Sequence, residues 1–168
     1  MRHVISILLQ NESGALARVA TMFASRGFNI ESLSVAPTPN EVVSRLTLVT
    51  VADDDKIDQI NKQLQKLVDV VAIQDRTTVD HIERELALVK FRVPEAATDD
   101  LVAKLEEHGG RVLDSDPAHF TVEMTGNESD LDAFLSGLSD DVEVVTVVRS
   151  GVLAISRGPR SLGTELDL

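Results

Sequence analysis

The sequence contains no cysteine, no tryptophan and no tyrosine. Without cysteine the chain can form neither disulfide bonds nor thiolate metal sites, which fits a protein of a reducing compartment. Basic side chains are also scarce, since 16 Lys and Arg stand against 28 Asp and Glu and leave a formal net charge of −12. A negative charge of this size repels phosphate backbones and anionic lipid surfaces at long range. We therefore expect neither nucleic acid nor a membrane as a partner.

Long apolar runs are missing as well. No uninterrupted stretch approaches the roughly 20 residues needed to cross a bilayer. The apolar run within the N-terminal segment MRHVISILLQNESG is too short for a signal peptide. Hydrophobic residues nevertheless make up 43% of the chain and charged residues 26%, which is the balance of a soluble globular protein. These features predict a folded cytoplasmic protein.

The sequence also lacks the patterns that carry common catalytic and metal sites. It has no Gly-x-Ser-x-Gly elbow, no Walker loop and no Gly-x-Gly-x-x-Gly fingerprint, and its four histidines are scattered rather than placed at ligand spacing. Carboxylates cluster at residues 53–55 and 99–100, but each cluster directly precedes a predicted helix, where acidic side chains cap free N–H groups. We therefore predict no catalytic residue, no metal ligand and no cofactor in this chain.

Hydrophobic periodicity indicates one order of elements in the first half of the chain. A strand buried on both faces is followed by a helix, a strand hairpin, a second helix and a closing strand. Apolar residues three or four positions apart indicate the helices, and the Pro-rich segment APTPN indicates the hairpin turn. The predicted elements are a strand at 4–8, a helix bearing Leu16, Val19, Ala20 and Phe23, strands at 30–35 and 42–51, a helix bearing Ile57, Ile60, Leu64 and Leu67, and a strand at 68–74.

The second half repeats this β-α-β-β-α-β order, which is the split βαβ arrangement of ferredoxin-like domains. Its predicted strands lie at 86–93, 111–115, 119–125 and 142–148, and its helices carry Leu101, Val102 and Leu105, then Leu131, Phe134, Leu135 and Leu138. The sequence therefore predicts an α+β protein with two tandem ferredoxin-like βαββαβ domains. We place them at residues 1–76 and 86–158, joined by a linker at 77–85 and followed by a flexible tail at 159–168.

The segment QNESGALARVATMF, residues 10–23, is the most informative stretch of the chain. Its polar turn closes the first strand and leads into the first helix, whose free N–H groups can receive a carboxylate. Gly14 would let the backbone lie close against a ligand, and the Asn11 amide can both donate and accept hydrogen bonds. The alternative is that Asn11 or Ser13 merely caps the helix and that Gly14 shapes the turn.

Longer segments resemble a known family. LLQNESGALARVATMFASRGFNIESLSVAPT, KQLQKLVDVV, HIERELALVK and RSGVLAISRG are similar to the small regulatory subunits of acetohydroxyacid synthase, also called acetolactate synthase. The resemblance implies an N-terminal ACT domain that binds a branched-chain amino acid, usually valine, and a homodimer formed through these domains. It also implies a partner, the large catalytic subunit, which carries thiamine diphosphate, FAD and magnesium. The chain itself would be non-catalytic and would activate that subunit and confer feedback inhibition.

The resemblance assigns an effector site as well. In the family, ACT domains pair edge to edge and the effector lies between protomers. A valine zwitterion needs N–H donors for its carboxylate, acceptors for its ammonium group and a small apolar wall for its isopropyl group. The turn amides, two asparagine side chains and an Ala15/Ile30 wall would supply these contacts. The positions that match the family motif are Asn11, Gly14, Ala15, Leu16, Asn29 and Ile30.

Two other functions compete with this interpretation. One is a free-standing tandem ACT-type amino-acid sensor that regulates another enzyme or transcription, although the acidic charge argues against direct DNA contact. The other is a small enzyme on a ferredoxin-like fold, which would need a titratable constellation that the sequence does not offer. Which branched-chain amino acid binds best is open, because one methylene in an apolar pocket changes affinity by only about 1 to 3 kcal/mol. The stoichiometry with the partner is open too.

Overall fold

The computed structural model describes residues 1–159 and residue 162. The described residues form two units, one made of residues 1–82 together with residues 152–159 and 162, and the other made of residues 83–151. Each unit is an antiparallel sheet with two helices on one face, so the predicted α+β fold is confirmed. The repeated β-α-β-β-α-β order is also confirmed.

The first unit has a four-stranded sheet in the order β2-β3-β1-β4, in which all neighbours are antiparallel. This order places β2 and β4 at the two edges of the sheet. The elements are β1 (Arg2–Gln10), α1 (Ala15–Ser25), β2 (Ser32–Pro37), β3 (Val43–Val51), α2 (Asp54–Leu64) and β4 (Val70–Asp75).

The central strand β1 is buried on both faces, as the sequence predicts. Its odd-numbered residues, such as Ile5 and Ile7, pack with the apolar stripes of α1 and α2 in the core of the first unit. Its even-numbered residue Val4 lies on the opposite face, where Val152 and Ala154 cover it. The second apolar face of β1 is thus matched by a segment that lies about 150 positions later in the chain.

The division into units differs from the predicted domain boundaries. Residues 77–85 are not a linker throughout, because the strand β5 (His81–Arg92) begins inside them. Residues 152–158 belong to the first unit, whereas the sequence assigns them to the second domain at 86–158. The physical reason is burial, since Val152 and Ala154 are 3% and 7% exposed against the first sheet. Most of the predicted tail at 159–168 lies outside the described residues.

The second unit has the strand order β6-β7-β5-β8. Its core includes Phe91 and Phe134, whose rings meet edge to face with centroids 6.3 Å apart. The elements after β5 are a short 3₁₀ turn (Glu95–Ala97), α3 (Thr98–Glu107), β6 (Arg111–Ser115), β7 (His119–Gly126), α4 (Glu128–Ser136) and β8 (Glu143–Arg149). A last strand, β9 (Leu153–Ser156), lies in the first unit.

Candidate functional site

The turn between β1 and α1 depends on the conformation of Gly14. This residue has φ +88° and ψ −11°, in the left-handed region that glycine occupies without steric cost. The helix α1 begins at the next residue, Ala15. The turn therefore leads directly into the helix, and Gly14 itself adds no side chain at this point.

No side chain of the described residues caps α1, so the alternative that Asn11 or Ser13 caps this helix is wrong. The Asn11 side chain instead donates to the Glu41 carbonyl over 2.9 Å and accepts a hydrogen bond from the Ser44 hydroxyl over 3.1 Å. Its backbone N–H donates to the Val42 carbonyl over 2.9 Å. Asn11 thus ties the turn to the start of β3.

The first turn of α1 keeps two amide donors free. The Ala15 N–H donates to the Glu12 carbonyl over 3.2 Å. The N–H groups of Leu16 and Ala17 find no acceptor within residues 1–159 and 162. Free amides at a helix N-terminus attract anions, because they carry the positive end of the helix dipole.

Sequence reasoning missed Arg18, whose guanidinium lies over Gly14. Its Nη1 atom is 3.0 Å from the point where a Cβ on Gly14 would stand. Its other nitrogens bond to Asp69, with Nη2 and Oδ1 2.6 Å apart and Nε in contact with Oδ2. The signal was present in the sequence, since Arg18 follows Gly14 by one helical turn, and side chains four apart lie on the same face.

The ion pair places a buried carboxylate behind the turn. The Asp69 side chain is only 4% exposed, whereas that of Arg18 is 47% exposed. The hydrogen bonds from Arg18 lower the pKa of Asp69, so this carboxylate stays charged. The Asp69 carbonyl also accepts a hydrogen bond from the Gln10 N–H over 2.8 Å. Asp69 therefore fixes the position of the Arg18 guanidinium, whose Nη1 atom faces Gly14.

The apolar residues of the predicted site differ in where their side chains lie in the single chain. The Ala15 side chain is 2% exposed and packs in the core of the first unit, so only its backbone can meet a ligand. Ile30 is half-buried and packs against the same core. Leu16, in contrast, is 36% exposed and presents its side chain to the outside. The sequence could not separate these orientations, because all three residues are apolar.

The remaining predicted residue, Asn29, lies at the other end of the sheet. Its carbonyl accepts a hydrogen bond from the Thr50 hydroxyl over 2.6 Å, and its side chain donates to Glu31 over 2.7 Å. Asn11 bonds to Val42, and Asn29 bonds to Thr50, so the two contacts are eight residues apart along the segment that contains β3. Eight residues of strand span about 26 Å. One chain therefore holds the predicted site as two separate halves, with Asn11 and Gly14 in one half and Asn29 and Ile30 in the other.

A groove of about 500 Å³ between α1 and α2 reaches the same turn. Gly14 is the one predicted site residue that lines it. Its floor includes Met22 and Leu67, and its rim carries Arg18, Arg26 and Lys66. We call this feature the α1–α2 groove.

Over residues 1–159 and 162, no group of three or more His, Asp or Glu side chains stands close enough to hold a metal ion. No helix in these ranges is long and apolar enough to cross a membrane.

Comparison with known proteins gives a consistent result over both units. An AHAS small subunit-like ACT domain matches residues 5–72, and a domain described as the small subunit of acetolactate synthase matches residues 84–158. The acetolactate synthase isozyme 3 small subunit of Escherichia coli K12 is 44% identical over 160 residues, which cover 95% of this chain and 98% of that protein. The acetolactate synthase small subunit of Haemophilus influenzae is 41% identical over 162 residues, or 96% and 99% of the two chains.

A solved structure agrees with these matches. The crystal structure of the acetolactate synthase small subunit from Thermotoga maritima superimposes with a TM-score of 0.85 and 33% identity, covering 95% of this chain and 99% of that one. The resemblance found in the sequence is therefore confirmed. The matches also favour a synthase subunit over a free-standing sensor and over a small enzyme. The two family models and the 44% identity over 95% of the chain show that this chain belongs to the family of acetolactate synthase small subunits.

Proposed function

We propose that this chain activates the catalytic subunit of acetolactate synthase and makes it sensitive to a branched-chain amino acid, most favourably valine, bound between two ACT domains. Thiamine diphosphate, FAD and magnesium would belong to the catalytic subunit. The observation that carries the proposal is the separation of the site into two halves at opposite ends of one sheet.

A homodimer formed along β2 would reunite the halves. This strand lies at the edge of the sheet and pairs only with β3 among the described strands. Its C-terminal residue Pro37 is opposite Ser44, which bonds to Asn11, whereas its N-terminal end follows Asn29. If two β2 strands pair antiparallel about a twofold axis, the start of one lies beside the end of the other. Asn29 of the second protomer would then approach the turn of the first.

The assembled site would suit a small amino-acid zwitterion. The free amides of Leu16 and Ala17 and the Nη1 atom of Arg18 supply donors for its carboxylate. The amide oxygen of Asn29 from the second protomer supplies an acceptor for its ammonium group. The exposed Leu16 side chain supplies apolar contact, in place of the buried Ala15. A short branched side chain such as that of valine fits contact with a single leucine.

A site across the seam also provides a mechanism of regulation. An effector that touches both protomers stabilises one relative arrangement of the two ACT domains, and the catalytic subunit senses that arrangement. The effector must prefer the inhibited arrangement by several kcal/mol to move the enzyme from mostly active to mostly inhibited. A ligand that binds both arrangements equally would not regulate.

Calorimetric titration of the purified chain with valine, leucine and isoleucine tests the proposal. We expect one site per protomer for at least one of the three, with valine binding most tightly. The same amino acid should inhibit the enzyme reconstituted with its catalytic subunit, over the same concentration range. A chain that binds none of them, or an inhibition curve unrelated to the binding curve, would refute the proposal.

A further inference from the structure

The α1–α2 groove has an unusual charge for this protein. The chain carries a formal charge of −12, yet the residues that line the groove include Arg18, Arg26 and Lys66 and no acidic residue. Arg18 is compensated by Asp69. Arg26 bonds to the neutral Gln63 over 2.8 Å, and Lys66 makes no ion pair with a described residue. Two positive charges therefore stand uncompensated on the rim.

The lysines on α2 outside the groove differ from Arg26 and Lys66 in their ion pairing. Lys56 and Lys62 lie on α2 outside the groove, and each pairs with an aspartate within one turn, at 3.0 Å from Asp53 and 3.2 Å from Asp58. Such pairs within a helix are self-contained and contribute little to recognition. Arg26 and Lys66 have no acidic partner of this kind among the residues that the structure describes.

The floor of the groove is apolar. Met22 is 5% exposed, Leu67 is half-buried, and Ala17 also lines the groove. Methionine adapts its shape to a partner, and an apolar floor with charged edges is the common form of a peptide-binding groove. A volume of about 500 Å³ is large enough for several side chains of such a segment.

We propose that the α1–α2 groove docks an acidic segment of the catalytic subunit, with carboxylates against Arg26 and Lys66 and an apolar residue on Met22 and Leu67. This inference rests on the proposed function for the identity of the partner. An acidic segment is the complementary occupant, because the net charge of −12 repels it from this chain at long range, whereas the cations on the rim of the groove attract it.

Docking at the groove would couple to the effector turn through Arg18. This side chain lines the groove and also lies over Gly14, where we place the effector carboxylate. A partner that shifts Arg18 changes effector affinity, and the effector changes partner affinity by the same factor. The groove thus connects the two binding events within the first unit.

The test reverses the two uncompensated charges, in the double variant Arg26→Glu with Lys66→Glu. The matched control is Lys56→Glu with Lys62→Glu, which makes the same change of net charge on α2 outside the groove. Association with the purified catalytic subunit is read from the activation of synthase activity as the small subunit is titrated, at low and high salt. We expect the groove variant to associate at least about tenfold more weakly at low salt, with a reduced salt dependence, and the control to resemble the unaltered chain.

Three results would overturn the proposal. The groove variant could associate like the unaltered chain; both double variants could weaken association equally; or sedimentation could show that the groove variant loses a homodimer instead, which would make a second copy the occupant. Thermal unfolding of the isolated variant, followed by calorimetry and compared with that of the unaltered chain, checks that its first unit is folded. The milder pair Arg26→Gln with Lys66→Gln replaces it if folding fails. Failure of the proposed function is distinguishable, because the unaltered chain would then neither associate nor activate.

Discussion

A composite effector site predicts that two inactive variants restore each other. Gly14→Asp damages the turn and Asn29→Ala damages the other half, so homodimers of either variant lose both of their sites. A mixed dimer carries both lesions in one site and none in the other. If the protomers mix at random, about one quarter of the wild-type number of sites should return. A site contained in one protomer would return none.

The structure sets the size of each effect. A Cβ at Gly14 would stand 3.0 Å from Arg18 Nη1, which is the end of a flexible side chain and can shift. The left-handed backbone costs a residue with a Cβ about 1 to 2 kcal/mol, which a domain of ordinary stability survives. The new carboxylate would occupy the place of the effector carboxylate. Loss of one charge-assisted hydrogen bond from a backbone amide, about 1.5 to 3 kcal/mol, already weakens binding by about 10- to 150-fold.

Asn29→Ala should leave the fold intact. The Asn29 side chain is exposed and, within the described part of the chain, bonds to Glu31 alone, and its structural contact with Thr50 uses the backbone carbonyl. Surface changes of this kind alter stability by about 0.5 kcal/mol or less. Loss of effector binding in this variant would therefore report the site.

The assay is calorimetric titration of each variant and of an equimolar mixture after exchange of protomers, followed by inhibition of the reconstituted enzyme. Gly27→Asp is the control for the first lesion, because it adds the same charge at a left-handed glycine with nothing within 4 Å of its Cβ position. We expect Gly27→Asp to bind effector normally and Gly14→Asp to retain association with the catalytic subunit while inhibition is lost. Absence of recovered sites in an exchanged mixture, or normal binding by Gly14→Asp, would refute the composite site.

Three further outcomes follow from single contacts. Arg76 is fully buried, bonds to the hydroxyls of Ser6 and Ser156, has no carboxylate partner among the described residues, and has its pKa lowered by burial. Arg76→Met should therefore leave the thermal midpoint unchanged or raise it, and a large drop in calorimetry would contradict this. Arg18 lowers the pKa of Asp69, so the ionised carboxylate stabilises the fold fully above its unfolded pKa of about 3.9, and this stabilisation is lost as pH falls through the lower folded pKa. The urea unfolding free energy of Asp69→Asn should therefore depend less on pH in this acid range. Phe134→Ala should destabilise the second unit by about 3 to 5 kcal/mol in urea unfolding, because this ring is fully buried against Phe91.

The sequence predicts those parts of the fold that depend on local periodicity. The helix stripes around Val19 and Phe23 and the alternation around Val122 and Met124 are local signals, and the structure confirms each element. The position of β9 could not be predicted in this way, because the partners of Val152 lie about 100 to 150 residues away. The hydrophobic pattern of a strand indicates that the strand is buried, but it does not indicate which sheet the strand packs against.

The candidate site shows the same limit. The glycine turn and the free helix amides follow from residues 10–16, and the structure has both. The inward orientation of Ala15 and the position of Arg18 over Gly14 depend on how α1 is rotated against the sheet. The role of Asn11 as a tie to Glu41 depends on strand register. These features are tertiary, so residue type alone does not determine them.

Because Val152 and Ala154 cover one face of the first sheet, the first unit to leave the ribosome is the last to be completed. Until about residue 156 has been synthesised, Val4 and Val49 remain uncovered and the buried side of Arg76 lacks its Ser156 partner. Expression of residues 1–76 alone would reproduce that unfinished intermediate permanently, and its bare apolar face would favour aggregation. The segment around Val4 and the segment around Val152 must therefore fold together, although the second unit lies between them in the sequence.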